Sequence, residues 1–229
     1  MKLFRAVSLA AAVFSLPLYS LAASDTTHRL DAAADLLTDM MQASDKGVPQ
    51  DLLNKSHCVV LIPGLKKAGF VVGAKYGRGF AVCRQGSGTG WSAPAGVRIE
   101  GGSFGLQIGG SEQDVMLLVM NETGMKHMLS DKFTLGGEAT AAAGPVGREA
   151  TAQTDAKMRA EMLSYSRSRG LFAGISLNGA TMRPDQDANK ELYGPNETNE
   201  QILTGKLPAP AAAAKMESLL NKNSSRMSK

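Results

Sequence analysis

The chain has 229 residues and a formal charge of +4, but the excess sits at its ends: Lys2 and Arg5 at the start, and Lys206, Lys215, Lys222, Arg226 and Lys229 against Glu217 alone at the finish. The body between is slightly acidic, which excludes the broadly basic domain that duplex nucleic acid requires as a partner. Two cysteines and three scattered histidines exclude a His/Cys metal constellation, and no cofactor is expected.

Residues 1–22 read as a signal peptide. Lys2 and Arg5 form a basic start, Ala6 to Leu18 is an apolar core too short to span a bilayer, and Ser20-Leu21-Ala22 supplies a small-x-small cleavage pattern. Residues 23–194 are expected to form one domain, and 195–229 a Pro/Ala-containing basic tail. The mature chain is therefore expected to be periplasmic or secreted.

Ser24 to Ala43 predicts a helix, with Leu30, Ala33, Ala34, Leu37, Met40 and Met41 at helical spacing and Asp31, Asp35 and Asp39 forming a solvated acidic stripe. A short helix follows Pro49, from Gln50 to Lys55. From His57 the period changes. Cys58–Ile62, Phe70–Lys75, Phe80–Arg84, Ala95–Glu100, Ser103–Ile108 and Asp114–Met120 read as short strands separated by glycine-bearing turns. Pro63-Gly64 is expected to stop the first of them, placing Lys66 and Lys67 at a turn, and Gly77 and Gly79 place Arg78 at another.

Glu122–Leu129 predicts a helix. The stretch from Phe133 to Ala152 is rich in Gly, Ala and Thr, which marks close backbone approach. Asp155–Tyr165 is ambiguous between helix and strand, and Leu171–Leu177 reads as a strand. Gln186–Tyr193 and Glu197–Leu203 predict helices, with Asp185 as the cap of the first. The fold class is therefore α+β: a curled antiparallel sheet or small β-barrel core with amino-terminal and peripheral helices.

Cys58 and Cys83 leave two readings open. Export permits a disulfide closing a loop of about 25 residues; the alternative is two buried thiols, because each borders an apolar run.

Two catalytic or metal patterns fall short. Gly101-Gly102-Ser103-Phe104-Gly105 fits a nucleophile elbow, with His127 and Asp114 as nominal partners, but the residues after Ser103 alternate like a strand where a helix is required. Asp185, Asp187 and Asn189 have calcium-loop spacing, but Lys190 replaces the glycine and Asn196 the closing glutamate.

The charge pattern carries more. From Leu52 to Ile99 there is no Asp or Glu, while Lys55, Lys66, Lys67, Lys75, Arg78, Arg84 and Arg98 all fall there. Such a segment must find acids elsewhere in the fold or present a positive face to an anionic partner. Lys66, Lys67, Lys75 and Arg78, with Arg167 and Arg169 as a second group, are the expected headgroup contacts on an anionic phospholipid surface.

The run Ile62-Pro63-Gly64-Leu65-Lys66-Lys67-Ala68-Gly69-Phe70-Val71-Val72-Gly73 resembles the opening block of the SYLF-domain family. So do Trp91-Ser92-Ala93-Pro94, Gly102 to Gly110, and Tyr165-Ser166-Arg167-Ser168-Arg169-Gly170-Leu171-Phe172-Ala173-Gly174, with the likeness extending over roughly Leu30 to Gly194. The resemblance implies an α+β fold with a compact antiparallel β core. It also implies a binding role without catalysis: eukaryotic members bind phosphoinositides and in some cases filamentous actin, and exported bacterial members resemble phospholipid-binding proteins. One departure is plain, since the amino-terminal helix that is basic in eukaryotic members is acidic here. The rival expectations are a structural or interaction module docking a protein or cell-wall partner and, more remotely, a serine hydrolase using Ser103.

Overall fold

The computed structural model describes residues 24–42, 47–69, 72–87, 89–104, 109–146, 160–168, 170–205 and 207–225. The signal-peptide reading of 1–22 and Arg169 lie outside them. Helix α1 (Asp25–Gln42) opens with the Ser24 hydroxyl accepting from the Thr27 backbone N–H, and α2 (Gln50–Lys55) follows Pro49.

Strands β1 (Cys58–Gly69), β2 (Val72–Cys83), β3 (Ala95–Phe104) and β4 (Gly109–Val119) are long and antiparallel. After α3 (Glu122–Leu129) come β5 (Phe133–Thr134), β6 (Ala141–Ala143), β7 (Met162–Ser168), β8 (Leu171–Gly174) and β9 (Thr181–Pro184). The sheet runs β5-β9-β3-β2-β1-β4-β7-β6, with β8 also on β7; β6 is parallel to β7. The class is thus α+β with a strongly curled sheet, a half-barrel, and the one correction is that the sheet is mixed and not wholly antiparallel.

Both faces of the central strands are covered, which explains why β1 reads as an unbroken apolar run instead of an alternating one. Cys58, Val60, Ile62 and Leu65 face the inner core with Val97, Ile99, Val115 and Leu117. Val59 and Leu61 face a second core beneath α1 and α2, with Phe80, Met116 and Leu37.

Pro63-Gly64 does not end β1. The pair forms a bulge at which the register shifts against both neighbours, Gly64 takes a left-handed φ of 64°, and its N–H donates to Asp114 Oδ1 at 3.0 Å. The bulge presses β1 onto β2: a Cβ on Gly79 would collide with the Leu61 carbonyl. Lys66, Lys67 and Arg78, expected at turns, therefore stand within strands, because the glycines around them accommodate a close approach and do not break the chain.

The Cys58 and Cys83 sulfurs are bonded across the β1–β2 pair, where the two residues are register partners, so the disulfide reading holds over the buried-thiol one. Replacing both cysteines by alanine is expected to lower stability by about 3 kcal/mol, from the loop of 25 residues left unclosed. Chemical denaturation of the variant against the oxidised parent measures it, and superimposable curves would contradict it.

The carboxyl-terminal segment is not a tail. Helix α4 (Gln186–Tyr193) leads to α5 (Asn199–Leu203), which begins with a Thr198/Gln201 capping box and buries Ile202 and Leu203. A 3-10 turn (Ala211–Ala213) runs into α6 (Ala214–Asn223), which buries Met216 and Leu220 against the core beneath α1. The boundary expected after residue 194 therefore falls inside a packed domain that extends through the described end.

Candidate functional site

Of the cations of the acid-free segment, Arg78 meets acids from distant parts of the chain. On β2, Arg78 donates from Nε and a terminal nitrogen to the two oxygens of Asp185, at 2.5 and 2.8 Å, and lies 3.9 Å from Asp25. That hydrogen bond, chiefly, raises the Arg78 pKa. The Asp185 side chain is only 1% exposed and is also 3.6 Å from Arg29, which pairs with Asp25. Asp185 is thus an ion-pair hub and not a side-chain cap: it stands at the start of α4 but makes no capping hydrogen bond.

Arg78, Arg98 and Arg183 are register partners across β2, β3 and β9; Glu100 serves the last two, at 3.9 and 2.6 Å. On β7, Arg167 pairs with Asp39 of α1 and, at 3.6 Å, with Asp114, its register partner on β4. Asp35 of the same helix takes Lys215 of α6 at 2.8 Å. The acidic stripe of α1, expected to be solvated, supplies counter-charges to the sheet and to α6.

Arg84 is buried and answers to helix ends. Its guanidinium donates to the Ser224 carbonyl at 2.6 Å, to the Ser224 hydroxyl, and to the Leu53 and Ser56 carbonyls at 3.3 and 3.4 Å, with its carbon centre 3.9 Å over the Trp91 ring. The carboxyl ends of α2 and α6 thus share one cation. Burial pushes the Arg84 pKa down to about 10, leaving it charged at neutral pH.

What remains is a group of lysines toward the far end of β1 and β2. Lys66 is exposed on the outer face, opposite Tyr76 on one side and Glu112 on the other. Lys67 and Lys75 are register partners and so share the inner face, one row beyond Leu65 and Gly77. Lys75 is 7% exposed and donates to the Asn178 carbonyl at 3.3 Å. Burial lowers the pKa of both amines, and the Lys67 charge lowers Lys75 further. No carboxylate among the described residues offsets either shift.

Of the expected contacts, then, Lys66, Lys67 and Lys75 come together at one end of the sheet. Arg78 and Arg167 do not join them, because carboxylates of α1, β4 and the β9–α4 junction hold them. Sequence reasoning missed the ion-pair roles of Asp185 and Arg29; Asp185 carried the signals of a helix cap and of a calcium-loop position, and neither names an arginine partner.

The weaker motifs also find their places. Strand β3 continues through Ser103 to Phe104 and the next element described is a strand, so the strand-turn-helix of a nucleophile elbow is not formed. His127 lies 3.6 Å from Glu161, and Asp114 is bound to Gly64 and Arg167. Asn189 accepts from the Gly96 N–H at 2.7 Å and bonds Asn199, a structural role distinct from any calcium loop. A cleft of about 440 Å³ opens at the other end of the sheet, floored by Met125 and Leu129 and rimmed by His57, Glu122, Lys126 and Thr204.

The fold and these charges define an α+β curled-sheet module whose arginines tie its layers together and three of whose lysines, Lys66, Lys67 and Lys75, gather at one end. The chain belongs to the Ysc84 (SYLF) family: residues 100–223 match the family described as Ysc84, Las17-binding protein actin regulator. It is 37% identical over 177 residues to the SH3 domain-containing protein PJ696.02 of Schizosaccharomyces pombe, covering 76% of this chain and 41% of that one. It is 35% identical over 172 residues to LAS seventeen-binding protein 3 of Saccharomyces cerevisiae (74% and 37%), and 31% identical over 195 residues to the SH3 domain-containing YSC84-like protein 1 of Homo sapiens (82% and 56%). The chain therefore spans between about two-fifths and just over half of the length of these relatives. The family is of the actin-regulator and binding type and not an enzyme family.

Proposed function

We propose that this chain is a non-enzymatic module that binds anionic phospholipid at a membrane surface through the lysine-bearing end of β1 and β2. The observation that carries the reading is the Lys67–Lys75 pair: two ammonium groups side by side on a partly desolvated face, with no carboxylate among the described residues to neutralise them. Lys66 adds a third cation on the opposite face of the same strand end. Arg78 and Arg167 hold α1 and α4 to the sheet and are released from the headgroup role. The leader-like residues 1–22 favour a periplasmic or secreted setting, with the module peripheral to the membrane during envelope maintenance.

Co-sedimentation with vesicles tests this. Binding is expected to anionic and not to neutral vesicles and to weaken as salt is raised, because exposed charges are screened within about 8 Å at physiological ionic strength. The double variant Lys66→Glu/Lys67→Glu is expected to bind at least about tenfold more weakly, each lost lysine being worth about 1 kcal/mol near an anionic surface. Equal binding to neutral vesicles, or indifference to salt, would remove the electrostatic mechanism. The family description favours a second reading, in which the same lysines meet an acidic protein partner; anionic vesicles left unbound by a folded chain would favour it.

A further inference from the structure

Four in-register positions form one row across the inner face toward the end of the half-barrel away from the disulfide: Gly101 on β3, Lys75 on β2, Lys67 on β1 and Ser111 on β4. The row holds two ammonium groups and one hydroxyl, and it has no carboxylate. Like charges directly opposite each other on neighbouring strands destabilise a sheet, so the pair is costly in the free protein.

The surroundings add donors and little else. In the next row of the same face Gln113 stands opposite Leu65, and its amide nitrogen is buried without a hydrogen-bond partner. On the other flank, a Cβ on Gly101 would touch the Gly179 carbonyl and Ala180, so the 178–180 turn walls the row off there. The Asn178 carbonyl takes one of the three N–H bonds of Lys75, and no group among the described residues takes the other two. Two buried donor groups short of acceptors, the Lys75 ammonium and the Gln113 amide nitrogen, beside a half-buried Lys67 and an exposed Ser111, call for an acceptor-only ligand.

We infer that the Lys67–Lys75 pair, with Gln113 and the Ser111 hydroxyl, is a discrete site for a dianionic phosphate monoester. The inference rests on the anionic-surface reading above and sharpens it. A monoester carries a charge of about −1.5 to −2 at neutral pH and presents three acceptor oxygens. It matches two ammonium groups charge for charge, whereas a phosphodiester brings one negative charge and leaves one lysine unpaired. The site therefore discriminates by phosphate charge and not by total surface charge. The monoester belongs either to a lipid headgroup or to a free small phosphate.

The test uses the full chain with vesicles of phosphatidic acid or phosphatidylglycerol adjusted to equal surface potential, and separately with soluble glycerol 3-phosphate. Phosphatidic acid is expected to bind at least about tenfold more tightly, from the second neutralised charge. Lys67→Met and Lys75→Met are each expected to bring the ratio of the two lipids to about one. Neither variant should melt below the parent, because each removes a desolvated, mutually repelled amine; Lys67, the more accessible, gives the answer if Lys75→Met fails to fold. A rise in melting temperature with glycerol 3-phosphate that both variants abolish supports the site and identifies a soluble source. Equal binding to both anionic lipids with no response to glycerol 3-phosphate overturns the discrete site and leaves the surface reading standing. Failure to bind any anionic vesicle or glycerol 3-phosphate overturns both.

Discussion

Asp185→Asn is expected to destabilise the protein by about 3 kcal/mol or more, the usual cost of removing one partner from a buried ion pair. The carboxylate is 1% exposed and takes both hydrogen bonds of the Arg78 fork, with Arg29 at 3.6 Å. Once it is neutral, two guanidinium groups share Asp25, whose side chain is 83% exposed and largely screened by solvent. The packing is left nearly unchanged, so the loss reports charge. Urea denaturation of the variant measures it, and a shift under about 0.5 kcal/mol would show that Asp25 suffices.

Arg84→Met is expected to cost a similar amount and, in addition, to loosen α6. The substitution keeps much of the volume but deletes the charged donor to the Ser224, Leu53 and Ser56 carbonyls; Trp91 and Ser56 still donate to the first two, while the Ser56 carbonyl loses the one donor it has among the described residues. Hydrogen bonds to a charged group are worth about 1.5–3 kcal/mol each, and a loss of about 3 kcal/mol allows for partial replacement by water. Trp91 is the only tryptophan, is 4% exposed, and donates from its indole nitrogen to the same Ser224 carbonyl at 2.8 Å. Its fluorescence should therefore shift to the red as α6 lifts. An unshifted spectrum with a lowered stability would place the cost at α2 instead. The same contacts mean that deleting 206–229 would strip a helix from the domain, so such a deletion cannot distinguish a membrane tether from a folded part.

The sequence revealed elements where local signals and packing agreed. Helix α1 was expected over 24–43 and is found over 25–42, since its apolar spacing and the Ser24 cap act together. The strands were expected shorter than they are because Pro63-Gly64 and Gly77-Arg78-Gly79 look like punctuation. Their small residues instead serve a bulge and the close approach of the neighbouring strand, a tertiary cause that no local window contains. The carboxyl-terminal segment misled for a similar reason: Leu207-Pro208-Ala209-Pro210 has a linker's composition, and only the partners of Met216 and Leu220 show that α6 is core.

The candidate site was legible as charge and illegible as pairing. An acid-free stretch after an aspartate-rich helix announced that the two had to be reconciled. Which cations would be consumed depended on contacts such as Arg78–Asp185 and Arg167–Asp39, separated by more than a hundred residues. Strand alternation did place Lys67 and Lys75 on one face, but only once the bulge had set the register, a tertiary feature that no local pattern carries.

The covalent tie between Cys58 and Cys83 lies at the opposite end of the β1–β2 ladder from the two lysines. Sliding one of these strands by a single residue would turn its side chains over, carrying one amine to the solvent side and dissolving the pair. A crosslink between register partners forbids that slide on the cystine's side of the Pro63-Gly64 bulge, and the bulge carries the count one residue further toward the lysines. The cystine and the bulge together thus index the ladder: the one anchors it at a margin of the molecule, and the other sets where positive charge is displayed beyond it.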